Sequence, residues 1–230
     1  MSLTLWQSRF ERWMEQNWVH DDQAHDIGHL RRVWGSAQKI MANSNADALT
    51  VLAACYFHDV VNLPKNHPER RLASTYAAEK TRQVLTETFP DFPVDRIESV
   101  AHAVQAHSFS AAITPETLEA KIVQDADRLE SLGAIGLARV FYTAGVMGRP
   151  LFNSEDPLGK SRELNDVLWT LDHFQTKLLR LPATMQTAAG RELAQHNAHF
   201  LVGYMAKICA ELQGDMTGID ESVLRDFTPG

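Results

Sequence analysis

The stretch Ala46 to His58, ADALTVLAACYFH, is apolar on almost every side of a helix. A surface helix keeps one polar face; a helix that is hydrophobic all round must be enclosed by neighbours. The remaining periodicity supplies those neighbours. Leu5 to Asn17 reads as a helix, and Asp26 to Met41 carries Ile27, Leu30, Trp34, Ala37 and Met41 on one stripe at spacings of three and four. Ser74 to Thr86 and Val94 to Ala106 follow, the latter with Ile97, Val100, Ala101 and Val104 in register. Thr114-Pro115-Glu116 has the make-up of a helix start, with a hydroxyl cap, a proline at the first position and then an acid. That helix runs toward Leu132, with continuation past Gly133 left open. Glu163 to Leu181 and Ala188 to Leu212 close the set. No period-two strand, repeat or low-complexity tract interrupts it. The expected fold is all-α, a single domain over residues 1–230 with a core at about 20–145 and C-terminal helices at about 160–212.

With 230 residues and 44% hydrophobic content the chain can bury a full core. A formal charge of −7 argues against a nucleic-acid backbone as partner, because phosphate binding calls for a basic surface. No segment approaches the roughly 20 apolar residues of a membrane span. The first residues, MSLTLWQSRFERWMEQ, form an amphipathic helix with acids rather than the apolar run of a signal peptide. Cys55 and Cys209 form no repeated spacing and no C-x-x-C, and Cys55 lies in an apolar run, so a buried free thiol is expected there rather than a disulfide. Together these features describe a reduced, cytoplasmic protein. Its oligomeric state is not encoded in any readable pattern.

The polar residues that interrupt the apolar helices carry the chemistry. His29 stands at the margin of its helix's apolar stripe, on the side of Val33 and Ile40. His58-Asp59 ends the most enclosed helix of the chain, with no cation beside Asp59 in sequence. In IVQDADRLESLGAIG, Asp125 shares a stripe with Leu118, Ile122 and Leu129, while Asp127 shares the opposite face with Ala120, Val123, Ala134 and Ala138. Periodicity does not choose between the two acids. Burying an unpaired carboxylate costs several kcal/mol or forces it to neutralise. Imidazoles and carboxylates converging from three segments on one divalent cation would remove that cost.

The order H…HD…D, each on its own helix, resembles the HD-domain superfamily of metal-dependent phosphohydrolases. The flanking segments AHDIGHLRRVW, LAACYFHDVV and VQDADRLESLGAIGLAR are similar to the family's ligand segments over roughly residues 20 to 145. The continuation to LLRLPATMQTAAGRELAQH resembles a YedJ-type bacterial branch over nearly the full length. The resemblance implies an HD-domain helical bundle with a C-terminal helical elaboration. It implies His29, His58, Asp59 and Asp127 as metal ligands, since the family's final aspartate stands in an A-D-R-L-like context. Asp125 then becomes a candidate for proton handling beside them. One divalent ion per chain is expected rather than two, with Mn, Ni, Fe, Co or Mg compatible with nitrogen and oxygen donors.

Some members hold a second ion with extra histidines, one in a context similar to AVQAHS, which singles out His107 as a pocket wall or general acid. Where the other extra histidine belongs, this chain has Arg70, Arg71 and Leu72, with His67 as a weak substitute; His102 reads as a core histidine. The activity implied is hydrolysis of a small phosphate ester, a nucleotide or another phosphomonoester, by water activated at the cation, with Asp59, His107 and Asp125 as catalytic candidates. Lys65, Arg71 and Arg128 are candidates for the phosphate oxygens. Asp26, three residues before His29, either orients that histidine or caps its own helix. Val60-Val61-Asn62-Leu63 lacks the Glu-Asp of the alarmone hydrolases, and the HD-GYP signature is absent. A di-iron oxygenase and a non-catalytic metal-dependent binding or sensor module are the alternatives. The Gly- and Pro-rich loop Gly145 to Lys160 is long for a helix connection, as a lid or a surface loop would be.

Overall fold

The computed structural model describes residues 1–18, 26–63, 67–108 and 110–229. Among these residues there are ten α-helices and no strand. They are α1 (Leu3–Asn17), α2 (Ile27–Met41), α3 (Ala48–Phe57), α4 (Ala73–Glu87), α5 (Ile97–Ala106), α6 (Leu118–Leu129), α7 (Gly133–Val146), α8 (Asp172–Thr176), α9 (Ala188–Leu212) and α10 (Glu221–Asp226). No helix among them is long and apolar enough to cross a membrane. Both cysteines are free and buried. The fold is the all-α arrangement that the periodicity predicts, and contacts group it into two compact units, Met1–Asp127 and Arg128–Gly230.

In the first unit, α3 is the enclosed helix that its composition demands: every residue from Leu49 to Phe57 is buried. Asp47 starts it by accepting from the Thr50 amide at 2.8 Å. Helix α1 lies against it through aromatic contacts, with Phe10 5.2 Å from Phe57 and 5.2 Å from Phe89 between ring centroids. Such tilted and edge-to-face pairs add to the area they bury. A polar clasp reinforces the same joint. Tyr56, at the end of α3, donates its hydroxyl to Glu11 of α1, and Arg31 of α2 pairs with that same carboxylate at 2.9 Å.

Helix α6 starts later than the sequence suggests. Thr117, rather than Thr114, accepts from the Ala120 amide at 3.1 Å and caps the helix. The Glu116 amide is taken by His102 Nε2 at 3.0 Å, which keeps Thr114-Pro115-Glu116 outside the helix. The same helix does not run through Gly133. The chain turns at Ser131 and Leu132, Gly133 takes φ +64° in the left-handed region, and α7 begins there.

The second unit corrects the expectation of one long helix from Glu163 to Leu181. Only Asp172–Thr176 is α-helical, followed by 3₁₀ turns at Leu178–Arg180 and Pro182–Thr184. Asp172 is fully buried and takes Arg162 bidentately at 2.6 and 2.7 Å, and it also accepts the Asn165 amide at 2.7 Å. Asn165 in turn accepts from the amides of Val167 and Leu168. These local carboxylate and amide bonds compete with the helical ladder and win. The loop following α7 is tied down by backbone bonds, Thr170 to Pro150 at 3.1 Å and Leu171 to Leu151 at 2.9 Å.

Candidate metal centre

Helix ends carry the functional side chains of the first unit. His29 is the third residue of α2, whose start is capped by Asp26 Oδ1 accepting from the His29 amide at 2.8 Å. His58 caps the C-terminus of α3 with Asp59 next in the chain, and His107 caps the C-terminus of α5. Asp127 lies in the last turn of α6. Three of these four positions are helix C-termini, where unpaired carbonyls and the macrodipole favour positive charge.

The imidazole tautomers follow from what the rings touch. His58 Nδ1 lies 2.9 Å from the Cys55 carbonyl, and His107 Nδ1 lies 2.6 Å from the Val104 carbonyl. A carbonyl only accepts, so both Nδ1 atoms carry the hydrogen, which leaves Nε2 as the ring atom that could ligate a metal. His58 Nε2 then stands 3.1 Å from His29 Nε2. Asp59 Oδ2 is 3.8 Å from His29 Nε2 and 3.5 Å from His58 Nε2. Asp127 Oδ1 is 3.6 and 3.7 Å from the same two nitrogens. Ligand atoms at about 2.1 Å from a common ion stand about 3.0 Å apart when cis and about 4.2 Å apart when trans. All five separations fall inside that window. His29, His58 and Asp127 thus form a group that could hold a metal ion, and Asp59 stands at similar range from the same two imidazoles.

A second converging set shares two of these residues: His58, Asp59 and His107, with Asp59 Oδ1 3.8 Å from His107 Nε2. The two oxygens of Asp59 thus face different partners, Oδ2 toward His29 and His58, Oδ1 toward His107. The imidazoles are sealed in, His29 and His58 showing no exposed side chain, whereas Asp59 is 18% and Asp127 28% exposed. Access from solvent is along the carboxylates. Burial pulls the His107 imidazole below its usual pKa, and His58 beside it acts in the same sense. Burial works to raise the Asp127 carboxyl, but His58, His107 and His29 outweigh it and hold that group below the usual carboxylate range. The Cys55 thiol is fully buried and pushed far up by its apolar surroundings, so it stays protonated and outside the donor set.

Asp125 is fully buried, two residues before Asp127, and outside both converging sets of the described residues. Arg71 is exposed, Arg128 donates to the Thr184 carbonyl at 2.6 Å within the second unit, and Lys65 lies outside the described residues. His67 accepts from the Glu69 amide at 3.1 Å in its own turn. Two neighbours of the site carry no readable sequence signal. Trp18 donates its indole N–H to the Asp59 carbonyl at 3.1 Å. Gln124 donates its amide to the Ala106 carbonyl at 2.6 Å, beside His107.

The chain resembles known proteins in sequence and in fold. Residues 26–132 match the family model of the HD domain. The chain is 29% identical over 212 residues to YpgQ, an uncharacterized protein of Bacillus subtilis, covering 90% of this chain and 92% of that one. The crystal structure of Bacillus subtilis YpgQ in complex with ADP superposes with a TM-score of 0.68, over 96% of this chain and all of that one. An HD-superfamily hydrolase from Bacillus thuringiensis has the same fold, with a TM-score of 0.69 at 24% identity over 92% of this chain and 99% of its own.

Proposed function

Residues 26–132 of this chain belong to the HD-domain family, and on that premise we propose that the protein is a metal-dependent phosphohydrolase of a small phosphate ester, with nucleotides the leading substrate class. One observation supports the reading: His29, His58 and Asp127 group closely enough to hold a cation, and Asp59 stands 3.5 and 3.8 Å from the same two imidazoles. When bound, a divalent ion supplies an acidified water and offsets charge on a phosphoryl oxygen. His29 and His58, with buried side chains, would hold it, together with the partly exposed Asp59 and Asp127. His107 stands against Asp59 with its Nε2 inward and its Nδ1 pinned, suited to hold or pass a proton at Nε2. Asp125 handles protons only through its neighbours, and Lys65, Arg71 and Arg128 are the basic groups offered to phosphate oxygens. The ADP held by the crystallised YpgQ supports a nucleotide over other phosphate esters.

The test is a panel of nucleotides and phosphomonoesters with Mn²⁺ and the other divalent ions. Phosphate release that needs the metal and is lost in Asp59→Ala is expected. Bound metal with no turnover anywhere on the panel would instead make the chain a binding or sensor module. A second reading, a two-ion centre with oxygenase chemistry, draws on the His58-Asp59-His107 set. It needs a further ligand where this chain has Arg70, whose guanidinium is committed to Asn62 and the Leu63 carbonyl. Two irons per chain with oxygen uptake would favour that reading.

A further inference from the structure

Trp18 lies N-terminal to the segment that matches the HD domain, yet it reaches a residue of the metal centre. It follows the last residue of α1 and closes that helix with its own amide, which donates to the Met14 carbonyl at 2.9 Å. Its indole N–H points the other way, to the Asp59 carbonyl at 3.1 Å. Asp59 lies just beyond α3, where backbone carbonyls have no intrahelical donor and need one from elsewhere. On the other side of that residue, the Val60 amide closes a turn onto the Phe57 carbonyl at 3.1 Å.

We propose that Trp18 is a positioning residue for Asp59: its indole fixes the Asp59 peptide and so aims the carboxylate between the His29–His58 pair and His107. The donor is itself rigidly held. Helix α1 rests on α3 through Phe10 and Phe57 at 5.2 Å and through Trp13 and Phe57 at 5.6 Å, and Glu11 is clasped by Tyr56 and Arg31. A carboxylate whose two oxygens face different imidazoles, 3.5 to 3.8 Å away, tolerates little rotation of the backbone that carries it. Partners that orient a ligand in this way are each worth about 10–100-fold in metal affinity. The N-terminal helix therefore belongs to the working centre, not only to the core.

This proposal rests on the metal-centre reading, and the experiment separates the two. Mn²⁺ binding to the full chain is titrated by electron paramagnetic resonance for the wild type, for Trp18→Phe, and for a chain with benzothienylalanine at position 18. That analogue keeps the bicyclic shape but has sulfur in place of the N–H. Expected is wild-type binding, about tenfold weaker binding in both altered chains, and an unchanged metal-free melting temperature for the benzothienyl chain. Wild-type affinity in the benzothienyl chain overturns the role of Trp18 and leaves the metal centre standing. A wild type that binds no Mn²⁺ overturns both.

Discussion

Each compact unit sets histidines beside aspartates, and the spacing separates the two arrangements. In the second unit, His173 Nδ1 lies 2.8 Å from Asp166 Oδ2, which also accepts from the Thr176 hydroxyl at 3.0 Å. That is a finished hydrogen bond: His173 holds the Asp166 carboxyl below its ordinary range, and nothing further is required. In the first unit Asp59 and Asp127 stand 3.5 to 3.8 Å from the Nε2 atoms of His29 and His58, and those two Nε2 atoms face each other at 3.1 Å. Groups of the same kinds satisfy one another in one place and converge on a common point in the other. Spacing, not residue type, marks a ligand set.

The largest effect should come from testing that contrast directly. Losing a group that orients a ligand costs about 10–100-fold in metal affinity, and losing a ligand itself should cost about a hundredfold or more. His58→Ala should lose Mn²⁺ binding by that factor in an equilibrium titration, whereas His173→Ala should leave it unchanged. Equal losses in the two variants would erase the distinction drawn from the distances.

Next in size is the buried pair that organises the second unit. Removing one partner of a buried, hydrogen-bonded ion pair costs about 3 kcal/mol or more, because the other charge stays behind unpaired. Arg162→Leu strands the fully buried Asp172, and urea unfolding should show a loss of about 3 kcal/mol while Mn²⁺ affinity stays at the wild-type value. A matching drop in metal affinity would mean the two units do not divide the work as their polar groups suggest.

The same pairs explain what could be read from the chain in advance. Helices α2 and α9 were legible because periodic burial defines them, and α3 because its composition is apolar all round. Ligand candidates were legible as polar groups set into apolar helices, and the family context then chose between Asp125 and Asp127. The segment from Glu163 to Leu181 was not legible. Its helical periodicity is real, but Asp172, Asn165 and Arg162 bond to one another and outcompete the ladder, and such a contest has no periodic signature. Trp18 and Gln124 were missed for a related reason. Each donates to a backbone carbonyl far away in sequence, and a carbonyl is present at every position.

A smaller, pH-dependent effect belongs to the clasp that seats α1. Glu11 is pulled down to a pKa of about 2, chiefly by Arg31 with help from Tyr56 and Gln7 against the opposing effect of burial. In the unfolded chain it titrates near 4.5. Its contribution is therefore complete above that value and is lost as the pH falls toward about 2. Because Arg31 is half exposed, solvent screening limits the contribution to about 1–2 kcal/mol. The stability difference between wild type and Glu11→Gln should be of that size at pH 7 and should close on acidification. A gap that stays constant down to pH 2 would remove the ion pair from the account and leave only packing.

Gln124 should give the smallest change, because two terms oppose each other. Its amide N–H satisfies the Ala106 carbonyl at the end of α5, while its Oε1 is buried with no protein partner among the described residues. Gln124→Met strands the carbonyl, at about 1–3 kcal/mol, but also removes a buried acceptor that carries a penalty of similar size. The net loss in urea unfolding should be under about 1 kcal/mol. Gln124→Glu removes the donor, keeps the acceptor and adds a charge facing the same carbonyl, so it should cost clearly more than Gln124→Met. If Gln124→Glu is as stable as the wild type, the Ala106 bond does not hold the end of α5, and the seating of His107 must come from its own bond to Val104.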